Sequence, residues 1–225
     1  MSITDGRGTR VVVVCTANVI RSPFIAELLQ SRLKASQAGC LEITSAGVSA
    51  RPDGKAHRRV REMARAYGVD LESHRTTQLS EATLVQRTVV LCAQREHRRA
   101  VLQMRPDLLS SVFTVREFAR LMEIAHASDA PPLDWVSAVS AAAQARGHDR
   151  FVADEDDNII DPIGRPDSTW RQFEQHAVQA VSSILASTQH LSAGVAQPAG
   201  GERNSAQLMV TRREYRQTLR AVRGA

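Results

Sequence analysis

Four consecutive valines, at residues 11–14, lead directly into a short polar stretch and then into apolar residues at helical spacing. A β-branched run without alternating polar residues is typical of a strand that is buried on both faces, as in a parallel sheet. Pro23 suits the first turn of the helix that follows, because that turn does not need its backbone N–H groups for bonds within the helix. The segment therefore predicts a strand–loop–helix unit.

The alternation of strands and helices continues along the chain. Such alternation implies a central parallel sheet that carries helices on both faces, which makes this an α/β protein. The further predicted strands are residues 41–44, 88–91 and 112–115, and the further predicted helices are residues 56–67, 96–104, 117–124 and 170–185.

An extra helix is predicted between Asp134, which can cap its first turn, and Gly147, which can end it. It belongs to a segment, residues 125–152, that we interpret as an insertion within one α/β domain of residues 8–191. Residues 192–225 then combine a linker rich in Gly, Ala, Gln and Pro with a basic tail that can form a last helix.

Charge and hydropathy narrow the possible partners. The net charge is +5, but residues 191–225 contain six Arg and two Glu, so +4 of the total belongs to the tail. We therefore expect no nucleic-acid partner, while the tail could bind an acidic partner. No run approaches the ~20 apolar residues of a membrane span. Residues 1–10 are polar and lead straight into the valine run, so we expect no secretion signal.

Three cysteines, at positions 15, 40 and 92, form neither a disulfide framework nor a zinc-site spacing. Thiols without such partners are typical of a reducing compartment, so we expect a cytoplasmic protein. Cys40 and Cys92 lie near the ends of predicted strands and are expected to pack as small apolar residues. Cys15 differs from them, because it lies where the first strand meets its polar loop.

Five residues separate Cys15 from Arg21 in the loop that enters the first helix. A helix N-terminus offers backbone N–H groups and about half a positive charge to a bound anion. The same field and the nearby guanidinium favour the thiolate of Cys15, which is its nucleophilic form. Arg21 can hold two phosphate oxygens through its planar fork. The loop therefore predicts a phosphate cradle that contains a nucleophile.

Residues 14–23, with the sequence VCTANVIRSP, resemble the phosphate-binding loop of the low-molecular-weight protein tyrosine phosphatases, whose pattern is V-C-x-G-N-x-C-R-S-P. Further similarities follow in the order of that family, and together they cover about residues 10–185. The chain resembles a divergent, bacterial-type member, which implies a Rossmann-like three-layer α/β fold. The further matches are residues 45–47, 68–75, 116–118 and 161–162.

The resemblance implies a phosphoric monoester hydrolase that needs neither a metal nor a cofactor. Cys15 would attack phosphorus to form a phosphocysteine, while Arg21 holds the phosphoryl oxygens. Asp161 would protonate the leaving oxygen and then activate water. It is one of six acids between residues 149 and 161, and an acidic cluster of this kind predicts a solvated loop. The implied substrate is a phosphotyrosine protein or a small aryl phosphate.

Supporting roles are implied for the rest of the loop and for two residues outside it. Ser22 would hydrogen-bond the Cys15 sulfur, and Asn18 would tie the loop to Ser45 and His74. The other loop residues implied to bind or surround the phosphate are Thr16, Ala17, Val19 and Ile20.

The sequence departs from the family pattern at several positions. Ala17 replaces a glycine, which would strain the loop by about 1–2 kcal/mol if that position needs a left-handed backbone. Ile20 replaces a cysteine that protects the nucleophile in many members, so we expect peroxide to inactivate this protein without a local disulfide. Gln94 replaces an aspartate of several members, and Ile163 replaces a tyrosine of eukaryotic members. Val19 stands where phosphoarginine phosphatases have threonine, which favours aryl phosphates as substrates.

Two other functions remain open from the sequence. The departures at Ala17 and Ile20 fit a phosphate-binding or regulatory protein with weakened catalysis. An arsenate-reductase-like enzyme would share the fold and the Cys15 loop. That chemistry needs two further cysteines on a nearby segment, and Cys92 has no second cysteine a few residues away.

Overall fold

The computed structural model describes residues 9–33, 41–85, 88–128, 131–147, 154–188 and 191. Its strands are β1 (Thr9–Cys15), β2 (Leu41–Gly47), β3 (Thr88–Cys92) and β4 (Val112–Thr114). Within the described residues they form one parallel sheet in the order β2-β1-β3-β4. The predicted parallel sheet is therefore confirmed, and the valine-rich strand lies inside it.

The carboxyl ends of the strands lie at one edge of the sheet. Cys15 at the end of β1 pairs with Gly47 of β2, and the preceding Val14 pairs with Cys92 of β3. Cys92 in turn pairs with Thr114 at the end of β4. The loops that follow the strands therefore start side by side, at the edge where α/β proteins bind their ligands.

The helices of the described residues occupy the positions that the sequence pattern predicts. Three short 3-10 helices, Glu81–Thr83, Pro106–Leu108 and Asp154–Asp157, lie between them. The α-helices are α1 (Arg21–Arg32), α2 (Arg58–Ala66), α3 (Arg95–Met104), α4 (Val115–His126), α5 (Trp135–Ala145) and α6 (Asp167–Thr188).

Alternate valines of β1 enter two separate cores. Val13 belongs to the larger core, which it shares with Phe24 of α1 and with apolar residues of α2, α4, α5 and α6. Val14 belongs to the smaller core on the opposite face, where α3 contributes Val101. Helices thus cover both faces of the sheet, as predicted. They do so unequally, because α3 is the one described α-helix that packs on the second face.

Capping residues decide where two of the helices begin. α4 starts at Val115, which the apolar pattern assigns to a strand, because Thr114 accepts the N–H of Glu117 at 3.1 Å and the Glu117 carboxylate accepts the N–H of Thr114 at 3.0 Å. The predicted extra helix, α5, starts directly after Asp134, whose carboxylate accepts the N–H of Ser137 at 2.7 Å.

Two further differences concern segments at the carboxyl edge of the sheet. β2 continues to Gly47, beyond the predicted end at residue 44, and the acidic segment that was expected to be a loop contains the 3-10 helix Asp154–Asp157. The predicted tail, residues 192–225, lies outside the described residues, as does Cys40. The limits of the domain and of its insertion therefore stay predictions. In the part of the chain that is described, no helix has the length and apolar character needed to cross a membrane.

Candidate active site

The loop between β1 and α1 surrounds the Cys15 thiol. Cys15 is the last residue of β1, and Arg21 and Ser22 are the first two residues of α1. All three side chains are buried. They lie at the carboxyl edge because the fully buried valine strand ends there and Pro23 allows a helix to begin at once.

Four carbonyl groups of the loop point outwards and accept hydrogen bonds from residues outside it. Because each peptide unit is planar, with its C=O and N–H directed to opposite sides, the N–H that follows each outward carbonyl faces the loop interior. The loop therefore forms a cradle of N–H groups at the start of a helix. The outward bonds run from Val48 N–H to the Cys15 carbonyl (3.0 Å), Ser49 N–H to Thr16 (2.8 Å), His57 N–H to Val19 (2.8 Å) and His74 Nε2 to Asn18 (2.9 Å).

Asn18 holds the cradle in shape. Its backbone is in the left-handed region, with φ of 58°, and its side chain is buried. The amide Nδ2 donates to Ser22 Oγ and to Ser45 Oγ, both at 2.9 Å, while Oδ1 accepts the N–H of Thr77 at 2.8 Å. Asparagine tolerates a positive φ better than other non-glycine residues, and here its local hydrogen bonds stabilise that conformation.

The end of β2 touches the cradle so closely that only glycine fits. A Cβ atom on Gly47 would lie 2.6 Å from the Thr16 carbonyl oxygen and 2.8 Å from the backbone nitrogen of Asn18. Any larger residue would push these atoms away. Gly47 therefore allows β2 to support the loop from behind.

The thiol of the nucleophile candidate, Cys15, has a polar side-chain neighbour in Ser22. Cys15 Sγ lies 3.0 Å from Ser22 Oγ. Ser22 Oγ already accepts a hydrogen bond from Asn18 Nδ2, so its own proton is free to donate to the sulfur or to the Ala46 carbonyl oxygen at 3.3 Å. The Ser22 hydroxyl is therefore placed to donate to a sulfur that carries negative charge, which is the stronger acceptor.

Arg21 is only 2% exposed, and its guanidinium is held from several sides. Nη1 donates to Gln94 Oε1 at 2.7 Å, and Nη2 donates to Thr16 Oγ1 at 3.0 Å. Nη2 also forms an ion pair with Asp161 Oδ2 at 2.6 Å. The guanidinium therefore joins the β1 loop, the residues after β3 and the segment that contains Asp161.

Asp161 reaches the site on a segment that follows the 3-10 helix rather than a strand. The Ile159 N–H donates to the Ala93 carbonyl oxygen at 2.7 Å, which fixes the segment beside the end of β3. The Asp161 Oδ1 atom accepts the N–H of Ile163 at 3.2 Å, and the Ile163 side chain is half exposed. An exposed apolar side chain thus lies two residues from the acid.

A buried carboxylate anchors this acid segment to α3. Asp157 is 2% exposed, and its Oδ2 atom accepts bonds from Arg95 Nε at 3.0 Å and Nη2 at 2.6 Å. Arg120 Nη1 of α4 lies 3.0 Å from the other oxygen. The Asn158 side chain also accepts the backbone N–H of Arg95 at 2.9 Å. The sequence pattern treats these acids as a solvated loop and does not single out Asp157.

His97 is a second residue that the sequence analysis does not identify. It lies in the first turn of α3 and is only 3% exposed. Its Nδ1 accepts the N–H of Gln94 at 3.1 Å, and its Nε2 lies 2.9 Å from Thr16 Oγ1. Burial, together with the charge of Arg21, lowers the pKa of His97 to about 4 despite the opposite effect of Asp161. The ring is therefore neutral at pH 7.

Family comparison agrees with this arrangement of elements. The model of the family described as low molecular weight phosphotyrosine protein phosphatase matches residues 10–134, which is more than half of the chain. The chain belongs to this family. It is thus a phosphoric monoester hydrolase of the low-molecular-weight protein-tyrosine-phosphatase type, as the resemblance of the loop predicts.

Curated proteins similar to this chain come from bacteria. A protein-arginine-phosphatase from Geobacillus stearothermophilus is 29% identical over 109 residues, which are 48% of this chain and 70% of the relative. A low molecular weight protein-tyrosine-phosphatase from Salmonella typhi is 31% identical over 103 residues, 46% of this chain and 66% of the relative. The relatives therefore include two named substrate classes.

Solved structures of phosphatases share the fold. An arginine phosphatase from Geobacillus stearothermophilus superimposes with a TM-score of 0.58 at 22% identity, over 80% of this chain and 93% of that chain. The Vibrio vulnificus protein Wzb, in complex with benzylphosphonate, gives a TM-score of 0.56 at 19% identity, over 80% of this chain and 98% of that chain. At these identities the likeness supports the predicted α/β fold and not a substrate.

Most of the predicted site residues of this phosphatase lie in one group around the loop between β1 and α1, and side-chain hydrogen bonds join them in two sets. Three loop residues take no part in these bonds. Ala17 is not among the described residues with a positive φ, so the strain expected from replacing glycine is absent. Ile20 and Val19 pack against the larger core. The first set contains Cys15, Asn18, Ser22, Ser45 and His74, and the second contains Thr16, Arg21 and Asp161.

Cys92 lies apart from this group. It is fully buried in the smaller core, on the face that Val14 also occupies. Burial raises the pKa of the Cys92 thiol well above its ordinary value, so the thiol stays protonated. The prediction that Cys92 packs as a small apolar residue is confirmed.

Proposed function

We propose that this phosphatase hydrolyses phosphotyrosine or other aryl phosphate monoesters through a phosphocysteine on Cys15. The observation that carries the proposal is that one guanidinium joins the loop of the candidate nucleophile to the candidate acid. Arg21 links the loop that holds the buried thiol to the carboxylate of Asp161, 2.6 Å away. A nucleophile, an anion cradle and an acid are the groups that a two-step phosphoryl transfer requires.

In the first step, the substrate phosphate replaces Asp161 on the guanidinium and takes the inward N–H groups of the loop. The Cys15 sulfur attacks phosphorus, so that an S–P bond forms while the bond to the leaving aryl oxygen breaks. Asp161, once released from the guanidinium, takes up a proton from solvent and gives it to that oxygen, which leaves as a neutral phenol. Arg21 and the loop N–H groups stabilise the negative charge on the transferring phosphoryl group.

In the second step, water attacks the phosphocysteine. Asp161, now a carboxylate, accepts a proton from the water as the S–P bond breaks and the new O–P bond forms. Inorganic phosphate and the Cys15 thiolate are the products. Ser22 Oγ, 3.0 Å from the sulfur, stabilises the departing thiolate by donating its proton in a hydrogen bond.

Two features bear on the choice of substrate. Val19 lies in the loop where phosphoarginine phosphatases have threonine, and the half-exposed Ile163 next to the acid segment offers an apolar surface to an aromatic ring. Both favour an aryl phosphate over phosphoarginine. The 29% identity to a protein-arginine-phosphatase makes phosphoarginine the necessary comparison. A thiolate mechanism also suits a reducing compartment, and we place the protein in the cytoplasm on that ground.

The alternatives lose part of their support. A weakened phosphate-binding protein was suggested by Ala17, but the backbone of Ala17 is not in the left-handed region that would penalise alanine. An arsenate reductase needs a cysteine relay that can reach Cys15, whereas Cys92 is fully buried on the other face of the sheet.

The test compares hydrolysis of para-nitrophenyl phosphate, a phosphotyrosine peptide and phosphoarginine, each with excess EDTA. Cys15→Ser should abolish turnover, and Asp161→Asn should slow it. Cys92→Ala is the matched control, because it removes a cysteine that lies outside the site. Acid quenching and mass spectrometry of the parent should detect phosphate on Cys15. A parent that binds inorganic phosphate but hydrolyses none of the three compounds would instead support the regulatory alternative.

A further inference from the structure

Besides Asp161, the Arg21 guanidinium has two neutral side-chain partners. These are Gln94 Oε1, 2.7 Å from Nη1, and Thr16 Oγ1, 3.0 Å from Nη2. An incoming phosphate competes with the Asp161 carboxylate, because both are anions that need the same guanidinium. When the phosphate has displaced Asp161, Gln94 and Thr16 fix the orientation of the planar guanidinium, and so the direction in which its N–H groups point to the phosphoryl oxygens.

One buried ring contacts both of these partners. His97 Nδ1 accepts the backbone N–H of Gln94 at 3.1 Å, which fixes the residue whose side chain holds Nη1. His97 Nε2 lies 2.9 Å from Thr16 Oγ1, the atom that accepts from Nη2. The ring thus reaches both terminal nitrogens of Arg21, each through one intermediate residue.

The hydrogen-bond pattern fixes the tautomer of His97. An acceptor at Nδ1 leaves the single proton of a neutral imidazole on Nε2. Nε2 therefore donates to Thr16 Oγ1, which accepts a second bond from Arg21. Both lone pairs of that oxygen are then occupied, and the exposed Thr16 side chain loses the freedom to rotate away. Among the described residues, the other side-chain partner of Thr16 is Arg21 itself, so without the ring no independent contact would hold the hydroxyl.

We propose that His97 is a positioning residue, which acts through Thr16 and Gln94 to hold the Arg21 guanidinium in its phosphate-binding orientation. The inference rests on the proposed function, because it gives Arg21 the role of phosphate ligand. A ring that only filled space would need no polar partner at either nitrogen. Here both nitrogens are used, and both bonds lead to a neighbour of the same guanidinium.

The test uses two single variants and their combination. Thr16→Val removes the acceptor from an exposed residue at nearly constant volume, so the fold is not at risk. His97→Asn keeps an acceptor near the position of Nδ1 but is too short to reach Thr16. Each should weaken vanadate binding, measured by calorimetry in chelator-free buffer, and lower kcat/KM for para-nitrophenyl phosphate, both by about tenfold.

The combined variant separates positioning from packing. Both changes break the same chain of contacts, so their effects should not multiply. The vanadate affinity and the kcat/KM of the double variant should lie within about twofold of those of the more impaired single variant. Thr16→Ser, which keeps the hydroxyl, should recover most of the loss. Multiplying effects, or a Thr16→Val protein with parental vanadate affinity, would overturn the proposal.

Vanadate affinity does not depend on turnover, and this keeps the two proposals distinguishable. A parent that binds vanadate without hydrolysing aryl phosphate contradicts the proposed reaction, while the effect of His97 on Arg21 is still measured by the binding constants. A parent that hydrolyses normally while the His97 and Thr16 variants bind vanadate as tightly as it does contradicts the positioning role alone.

Discussion

Asp161 occupies the guanidinium that a phosphate must use, so its charge should oppose oxyanion binding in the free enzyme. The ion pair joins an Arg21 side chain that is 2% exposed to an Asp161 side chain that is 36% exposed, at 2.6 Å. Exposed pairs contribute about 0.2–1 kcal/mol, and removing one partner of a buried pair costs about 3–5 kcal/mol. A pair of intermediate exposure should therefore oppose the oxyanion by about 1.5 kcal/mol, which corresponds to roughly tenfold in affinity.

The Asp161→Asn variant removes this competition while keeping the size of the side chain. We expect its dissociation constant for vanadate to fall about tenfold, while turnover of aryl phosphate falls by about 10²–10⁴ because the proton donor is lost. Titration calorimetry at pH 7 in chelator-free buffer measures the affinity, and the gain should shrink as salt screens the half-exposed pair. Asp167→Asn is the control, because that carboxylate pairs with Arg59. Unchanged or weaker vanadate binding by Asp161→Asn would refute the competition.

Three further outcomes follow from the contacts of the site. Ser22→Ala removes the hydroxyl 3.0 Å from Cys15 Sγ, so phosphocysteine should accumulate in acid-quenched samples; parental turnover without accumulation would contradict this. The pKa of His97 falls from its ordinary 6.5 to about 4, so the unfolded chain binds more protons between these values and stability should decline by about 3 kcal/mol as pH falls from 6.5 to 4. Urea unfolding should show that the stability of His97→Asn declines less steeply over this pH range than that of the parent. Equal declines in the two proteins would exclude His97 as the cause. Peroxide should inactivate the enzyme without a protective disulfide, and Cys92 in particular is fully buried and stays protonated; a reductant-reversible link of Cys15 to Cys92 or Cys40 in the mass spectrum would contradict this.

The sequence predicts the sheet because its strands carry little else than β-branched and apolar residues, and the loop because its residues are adjacent in the chain. Cys15, Asn18, Arg21 and Ser22 all lie within eight positions. Helix limits were less predictable, since a capping pair such as Thr114 and Glu117 overrides the apolar pattern. The strands and the loop depend on residues that are close in the chain, so they can be recognised without tertiary contacts.

Site residues that contact each other but are distant in the chain could not be found in the same way. His97 and Thr16 are separated by 81 positions, and each is an ordinary polar residue of its own segment. A histidine in the first turn of a helix has no pattern that marks it as the partner of a distant hydroxyl. Only the sheet order, which makes β1 and β3 neighbours, brings the two together.

The site lies where neighbouring strands send their helices to opposite faces. α1 follows β1 and packs in the larger core, whereas α3 follows the adjacent β3 and packs in the smaller one. The loops diverge there and leave a crevice at the carboxyl edge, which is the general ligand site of open α/β sheets. Thr16 and Arg21 line one side, and Gln94 and His97 line the other. The acid is supplied separately, by a segment that follows no strand and therefore needs its own anchor.

That anchor, the pair of Arg95 with the buried Asp157, should control the acid step more than phosphate binding. Asp157→Asn removes the negative charge that pairs with both Arg95 and Arg120. Because the side chains of these arginines are 32% and 27% exposed, the loss of stability should be about 2 kcal/mol. Displacing Asp161 should slow phenyl phosphate, whose leaving group needs a proton, about tenfold more than para-nitrophenyl phosphate, while vanadate affinity should rise by no more than the roughly tenfold expected for Asp161→Asn. Asp156→Asn, a change at the exposed neighbour, is the matched control. Equal slowing of both substrates would mean that Asp157 supports the fold but does not place the acid.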